Sequence, residues 1–543
     1  MEESRQVSAD PRAAEAVGPS AAPATDACVR ELFPRALGGV YLIALFSLWG
    51  QIHGLVGSAG ILPVSGFLER AFAQLGREAW WRLPTLCWLH AGDGMLTALC
   101  ATGVGLAVLL VLGIAPRWSL LGLWGAYLSL TIAGQAFLSF QWDTLLLETT
   151  FCAIWYAPPG VWRRHQPPAA FPWTRWLLWF LAFKLMFLSG ATKLLSGDPT
   201  WWQGTALNYH YFTQPLPSWV SWYAHHLPRE WHRISLWCMF VVELALPFLI
   251  LAGRWGRAVF ALGTIVLMAA IELTGNFGFF NLLTAVVCLP LLDDAVLGRW
   301  ANWCFGKLPW QGWCGRGANL STATAAVEPP LARLRAVRAV GSACVCGALL
   351  FISMLTLLRE MVRTQRPDKL PVAVVHPLNF ADRWILRWSE PALLDRLAGF
   401  RTINGYGLFR VMTTRRPELV IEYSDDGHTW HEYDFPYKPG RLNRPPPVVA
   451  PHMPRLDWQM WFAALHPRGH AYWLTALAAR ILEGNPHTAR LMGVPEISTH
   501  PPKFVRWVYY EYQFSDPVQK QTRGEWWFRM RHGELTGPLS RRD

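Results

Sequence analysis

The chain has 543 residues, of which 52% are hydrophobic and only 16% charged. Soluble domains carry roughly 25% charged residues, so this composition excludes a chain whose whole surface meets water. The formal charge of +12 would point to nucleic acid in a soluble protein, but here the basic residues sit in loops between apolar runs, as membrane insertion requires, and no nucleic-acid partner is expected.

Residues 1–30 are polar and rich in Ala and Pro, with no apolar core flanked by basic residues. That pattern predicts a disordered cytoplasmic tail rather than a cleaved signal peptide. Apolar runs then begin near Ala36, Met95, Trp118, Thr144, Trp176, Ile234, Ala258, Phe277 and Ala339. At about 20 residues per crossing they predict a polytopic α-helical membrane bundle of about nine helices or fewer over 31–358. The fourth and eighth runs are short and carry Glu148 and Asn281, which is why the number could fall. Many of the 32 tryptophans lie at the ends of these runs, where an amphipathic indole suits the membrane interface.

Loop charge predicts an orientation. The even-numbered gaps carry Arg117, then Arg163, Arg164 and Arg175, then Arg254 and Arg257, then a long loop near 293–338 with Arg299, Lys307 and Arg316. The odd-numbered gaps are poorer in Lys and Arg, so the even gaps and the N-terminus are expected in the cytoplasm. The C-terminal half is then lumenal in an ER membrane or periplasmic in a bacterial inner membrane. A glycosylation sequon, Asn319-Leu320-Ser321, falls on the cytoplasmic side and is expected to be unused. All ten cysteines lie at or before Cys346, so no disulfide framework is expected in the C-terminal half, and Cys304 and Cys314 lack the further ligands of a zinc site.

After Leu358 the chain turns polar and Pro-rich, a linker over 359–400, and 401–543 reads as a β-rich α+β exported domain. "ELVIEYSDDGHTWHEYDF" (Glu418 to Phe435) alternates about Asp426-Gly427, a hairpin signal. Arg455 to Leu465 and Tyr472 to Leu482 have helical spacing, and "VRWVYYEYQF" and "EWWFRMR" are aromatic strands. An antiparallel sheet with two covering helices is the expected arrangement.

Charged side chains at membrane depth are costly and face a bundle interior. Asp143, Glu148, Lys184, Glu243, Glu272, Asn276 and Asn281 are therefore candidates either for a polar pocket with Lys193 and His210 or for helix-to-helix hydrogen bonding. A lysine desolvated at a helix end can serve as a base, with Asp198 and His210 as partners; the structural alternative is that Lys193 snorkels or pairs with Asp198. Trp430, Trp458, Trp461, Phe462, Trp526 and Trp527 could form an aromatic surface for an unfolded client, although core packing must account for most such residues. His210, His225, His226 and His232 lack the spacing of a metal motif, and no nucleophile elbow or phosphate loop occurs, so neither metal nor cofactor is expected.

Five segments carry a resemblance in order along the chain: "FQWDTLLLET" (from Phe140), "NYHYFTQPLPSWVSWYAHHLP" (from Asn208), "GNFGFFNLLT" (from Gly275), "NGYGLFRVMTTRRPELVIE" (from Asn404) and "RPPPVVAPHMPRLDWQMWFAAL" (from Arg444). Together they resemble the lipase maturation factors over nearly the whole length. The resemblance implies a non-enzymatic membrane protein that assists folding and assembly of secreted lipases or other exported proteins, with its C-terminal domain in the ER lumen. The C-terminal half departs from the animal members in lacking cysteines near the Pro-rich segment and the usual sequons, as a bacterial homologue would. "FLSGATKLLSGDPTWWQGTAL" (from Phe187) is similar to the catalytic-lysine segment of the vitamin K-dependent carboxylases, with Lys193 in the place of that lysine. That second likeness implies the rival reading, a membrane enzyme using Lys193 as a base on a lipid, quinone or peptide.

Overall fold

The computed structural model describes residues 26–161, 171–305 and 329–541. Most of the N-terminal tail, Arg163, Arg164, Cys314 and the Asn319 sequon lie outside the described residues. Each of the nine apolar runs is helical: α1 (Ala27–Trp49), α2 (Asp93–Leu112), α3 (Pro116–Ala133), α4 (Gln141–Tyr156), α5 (Pro172–Leu195), α6 (Arg229–Leu251), α7 (Gly253–Thr274), α8 (Phe280–Leu291) and α9 (Pro329–Thr364).

Six of them, α1, α2, α5, α6, α7 and the Ala336–Thr364 part of α9, are long and apolar enough to cross a membrane on their own. The other three are shorter or more polar. At 1.5 Å per residue α4 spans ~24 Å and α8 ~18 Å, less than the ~30 Å of a hydrocarbon core. Both are nevertheless enclosed by the bundle, with Trp142, Asp143, Leu145 to Thr150 and Asn281 all buried, so protein rather than lipid meets their ends.

Hydrogen bonds sort the loops onto two faces. On one face Arg30 Nε donates to Tyr156 O (3.1 Å), Arg117 Nε to Ala157 O (2.8 Å), Arg175 Nε to Pro290 O (2.8 Å) and Arg257 Nε to Leu291 O (3.2 Å). The N-terminus of α1 and the even-numbered gaps therefore share that face, and their arginines cap the ends of neighbouring helices, whose last carbonyls carry partial negative charge. On the opposite face Gln135 Nε2 donates to Leu62 O (2.9 Å) and Gln214 Nε2 to Thr274 O (2.7 Å). These contacts alternate from α1 to the end of α8, so the first eight segments traverse the bundle, the short α4 and α8 included.

The C-terminal domain is an antiparallel five-stranded sheet of β1 (Arg416–Ser424), β2 (His431–Tyr433), β3 (Phe504–Phe514), β4 (Trp527–Glu534) and β5 (Leu539–Ser540). The order is β2-β1-β3-β4, with β5 also on β3. β1 and β3 pair along nine residues, from Arg416 opposite Tyr512 to Ser424 opposite Phe504. The β1–β2 turn follows from its residues: Gly427 takes a left-handed φ of +78°, and Asp426 Oδ1 accepts the amides of His428 (2.8 Å) and Thr429 (2.7 Å). Two helices, α10 (Arg455–Leu465) and α11 (Pro467–Leu482), cover the sheet as expected.

Two features depart from the sequence reading. Residues 359–400, read from sequence as a linker, are largely helical: α9 continues to Thr364 and helix Val372–Ala381 leads into further helical turns as far as Phe400. A buried stripe explains the difference: Val375, Leu378, Ala381, Leu386 and Leu394 recur near helical spacing, and Leu378 packs with Ala191 and Leu195 of α5. The C-terminal half is also packed against the bundle rather than set apart from it. α10 is buried along almost its whole length because the sheet covers one side and the bundle the other.

Candidate functional site

The seam between bundle and C-terminal domain holds a cluster of buried charges. At its centre Arg455 of α10 reaches Asp143 at the start of α4 through two bonds, Nη1 to Oδ2 (2.5 Å) and Nη2 to Oδ1 (2.8 Å). Tyr127 donates to Asp143 Oδ1 as well (2.6 Å), and all three side chains are buried. The fork geometry fixes the angle of α10 as well as its distance from the bundle. Around it Gln51 donates to Met453 O (2.9 Å) and accepts the Arg455 amide (2.8 Å), while Asn276 donates to Pro447 O (2.8 Å) and accepts the Val449 amide (2.7 Å). Phe140 and Trp142 stack here, and Trp458 meets Trp142 edge-on, with centroids 4.8 Å apart.

A second contact inserts the chain after α9 back into the bundle. Glu148 Oε2 accepts from the Asn404 amide (2.8 Å) and the Tyr406 hydroxyl (2.7 Å), and Glu148 Oε1 from Lys184 Nζ (2.5 Å), which also donates to Ser353 (2.9 Å). Close approach needs the glycines of Asn404-Gly-Tyr-Gly407. A Cβ on Gly407 would lie 2.9 Å from Thr192 Oγ1, and one on Gly405 would collide with the Glu360 side chain. A third contact buries Arg416, which pairs with Glu418 (2.8 Å) and donates to Phe212 O and Pro215 O (both 2.8 Å) in the loop between α5 and α6.

Lys193, Asp198 and His210 lie in one region, yet each is held by a partner outside the proposed set. Lys193 Nζ donates to both oxygens of Glu243 at 2.8 Å and to Ser189 O at 3.1 Å. Glu243 can reach it because α6 carries a π-helical turn at Val241–Ala245, a local rewinding that turns this side chain inward. Asp198 does not pair with Lys193; it caps helix Pro199–Trp202 through the Thr200 amide (2.8 Å) and accepts the Met412 amide (2.6 Å). His210 packs edge-on against Phe409, 4.9 Å between centroids. Burial, and after it the Lys193 ammonium, hold its imidazole down at about 4, so it is neutral at physiological pH.

The expected single polar pocket is instead a set of separate pairs. Glu148 pairs with Lys184, Glu243 with Lys193, and Glu272 Oε2 with the Asn281 amide (2.5 Å), while Asn276 serves the seam. Among the described residues no cluster of three or more His, Cys, Asp or Glu is placed to hold a metal ion.

The expected client surface dissolves for a comparable reason. Trp458, Trp461 and Trp527 are buried, and Phe462 and Trp526 half-buried. Trp430 is covered by the Arg506 guanidinium, 3.9 Å from its ring centroid. Residues on the inner side of α10 or on an inward strand position belong to the core; the exposed apolar side chains of this domain include Phe528 and Met530 on β4, the last strand of the sheet. The sequence reading missed Arg455, Arg416, Asn404 and Tyr406, the residues that join the two halves.

A polytopic integral membrane protein, with a β-sheet domain clamped to one end of its helical bundle by a buried ion pair and buried hydrogen bonds, is the class that fold and seam define. Residues 28–299 match the lipase maturation factor transmembrane domain, and residues 402–537 match the lipase maturation factor C-terminal domain. The chain is 36% identical to lipase maturation factor 2 of Homo sapiens over 92% of its own length and 81% of the relative's. Against lipase maturation factor 2 of Gallus gallus it is 35% identical (93% and 80% covered), and against lipase maturation factor 1 of Mus musculus 31% (94% and 86%). The chain belongs to the lipase maturation factor family. No solved structure matches it.

Proposed function

We propose that this protein is a membrane-anchored maturation factor that assists folding or assembly of secreted lipases or other exported proteins. Family membership supports the client class, and the observation that carries the mechanism is the clamped seam. A domain tied to the bundle by Arg455–Asp143, Tyr406–Glu148 and Arg416 meets clients at a fixed height and angle above the bilayer. Arginine-rich loops gathered on the opposite face support a cytoplasmic placement for that face. The C-terminal domain is then lumenal in an ER membrane or periplasmic in a bacterial inner membrane, and residues 31–358 and 401–543 act as anchor and client-facing parts. Lys193 is a structural member of the bundle in this reading, because Glu243 occupies its ammonium.

The test is complementation. In a host lacking its own family member, expression of the chain should raise the active fraction of a secreted lipase without raising its synthesis, and the seam variant Arg455→Met should lower that gain. Equal active fractions with and without the chain, across several secreted lipases, would refute the proposal.

A further inference from the structure

Beside the seam, between α9 and the helical stretch 372–400, lies a cavity of about 210 Å³. Ile352, Leu394 and Leu397 line it, as do Arg359, Glu360 and Arg401. Ile352 sits two turns, ~10 Å, deeper along α9 than Arg359, so the wall runs from apolar at membrane depth to cationic near the helix end.

The two arginines are incompletely used. Arg359 Nε is buried with no acceptor among the described residues, and its Nη1 makes only loose pairs with Asp395 (3.5 Å) and Glu390 (3.9 Å). The Arg401 guanidinium has no ion-pair or hydrogen-bond partner among the described residues, although its carbonyl accepts from Asn404 Nδ2 (2.9 Å). Its backbone is held at φ +53°, a left-handed conformation uncommon outside glycine and the kind of strain that clusters at ligand clamps. Glu360, the acidic group in the wall, is engaged by Arg410 at 3.4 Å. Arg359 Nε is thus a buried donor without an acceptor among the described residues, which is costly and calls for an anion, and Arg401, although exposed, lines the same cavity.

The surroundings say where that anion comes from. Phe380, Trp384 and Trp388 recur every four residues along 372–400 and are 62%, 65% and 56% exposed, while the opposite stripe packs on the bundle. An amphipathic stretch with such a face lies in the headgroup layer of a bilayer.

We propose that this cavity takes the phosphate of a glycerophospholipid, with Arg359 Nε and the Arg401 guanidinium as donors and an acyl chain against Ile352, Leu394 and Leu397. A phosphate diester supplies the acceptors that the guanidinium forks lack, and the apolar wall distinguishes a lipid from free phosphate.

The experiment titrates the full-length, detergent-purified protein with dihexanoyl phosphatidylglycerol, with its chain-free headgroup glycerophosphoglycerol, and with inorganic phosphate, and reads bound equivalents by native mass spectrometry. One saturable equivalent of the lipid is expected, with much weaker binding of the other two probes. Arg401→Gln should weaken the lipid at least about tenfold, Ala398→Trp, at a position that is exposed and lines the cavity, should abolish its binding, and Arg523→Gln, on a remote exposed surface, should leave it unchanged. Lipid bound equally by the parent and Arg401→Gln overturns the proposal, as does inorganic phosphate bound as tightly as the lipid. Should Arg401→Gln fail to fold, unaltered lipid binding by Ala398→Trp overturns it instead.

Discussion

Replacing Arg455 by Met removes the cation from the seam and leaves Asp143 as a buried carboxylate with, among the described residues, only the Tyr127 hydroxyl as side-chain donor. Breaking a buried pair from one side costs about 3–5 kcal/mol, because the remaining charge keeps its desolvation penalty. That is a large fraction of the stability of most domains, and it falls on the contact between the two halves. Replacing both partners, Asp143→Leu with Arg455→Met, removes the charge and the penalty together, and such apolar substitutions are often close to neutral. The double variant should therefore be more stable than the single one, with a coupling energy of roughly 2 kcal/mol or more. Proteolysis under native conditions, in nanodiscs, reads the population in which the C-terminal domain has opened, provided that opening and closing are fast relative to cleavage. In that regime 3–5 kcal/mol raises the cleavage rate on the order of 10²- to 10⁴-fold for Arg455→Met. Cleavage of Arg455→Met at the parent rate would refute the clamp, and a double variant cut as fast as the single one would show that the two side chains do not act on each other.

The same logic separates the two readings of Lys193: Lys193→Met strands Glu243 and should cost about 3–5 kcal/mol, whereas Lys193→Met with Glu243→Leu should recover both thermal stability and lipase maturation. A double variant that folds but does not mature lipase would show that the lysine does more than pair. Burial raises the Asp457 carboxyl from 3.8 to about 6, against the opposing amides of Lys438 and Tyr437, so its folded form holds a proton more tightly than its unfolded form. The resulting stabilisation, about 3 kcal/mol for two pKa units, is fully present below pH ~4 and lost as pH rises through about 6; the melting temperature of the parent relative to Asp457→Asn should climb on acidification from pH 7 to 4, and a constant difference would refute the assignment. Gly407→Ala places a methyl group 2.9 Å from Thr192 Oγ1 and should destabilise by about 1–3 kcal/mol through overpacking, read in thermal unfolding, whereas Gly469→Ala, with open space around its Cβ position, should not.

Periodicity made the fold legible, because an apolar run of a given length has few places to go. All nine runs became helices, and the hairpin about Asp426-Gly427 formed where its turn residues put it. Aromatic residues misled for a physical reason: a tryptophan at helical spacing looks the same whether it faces a client, a sheet or a second layer of helices. Trp458 meets Trp142 across 316 positions of sequence, and no local pattern carries that information. Residues 359–400 misled through their prolines: Pro371 precedes helix Val372–Ala381, where a missing amide costs little, whereas Pro377 lies inside that helix.

The seam itself was open to a count of charges. The fully buried acids of the helices are Asp143, Glu148 and Glu243, and the fully buried lysines are Lys184 and Lys193. Arg30 is buried as well, but on the opposite face, where it donates to Tyr156 O, so with both lysines taken one carboxylate must protonate or find a cation elsewhere, since an isolated buried charge costs several kcal/mol. Glu148 and Glu243 take the two lysines, so Asp143 is the one left over. The cation has to come from outside the bundle and be presented by an element able to bury itself against it. Arg455, the basic residue that begins the apolar helix "RLDWQMWFAAL", satisfies both conditions. Neutralising Asp143 thus requires the C-terminal half, and the two halves are expected to fold as one cooperative unit rather than as an anchor with a passenger.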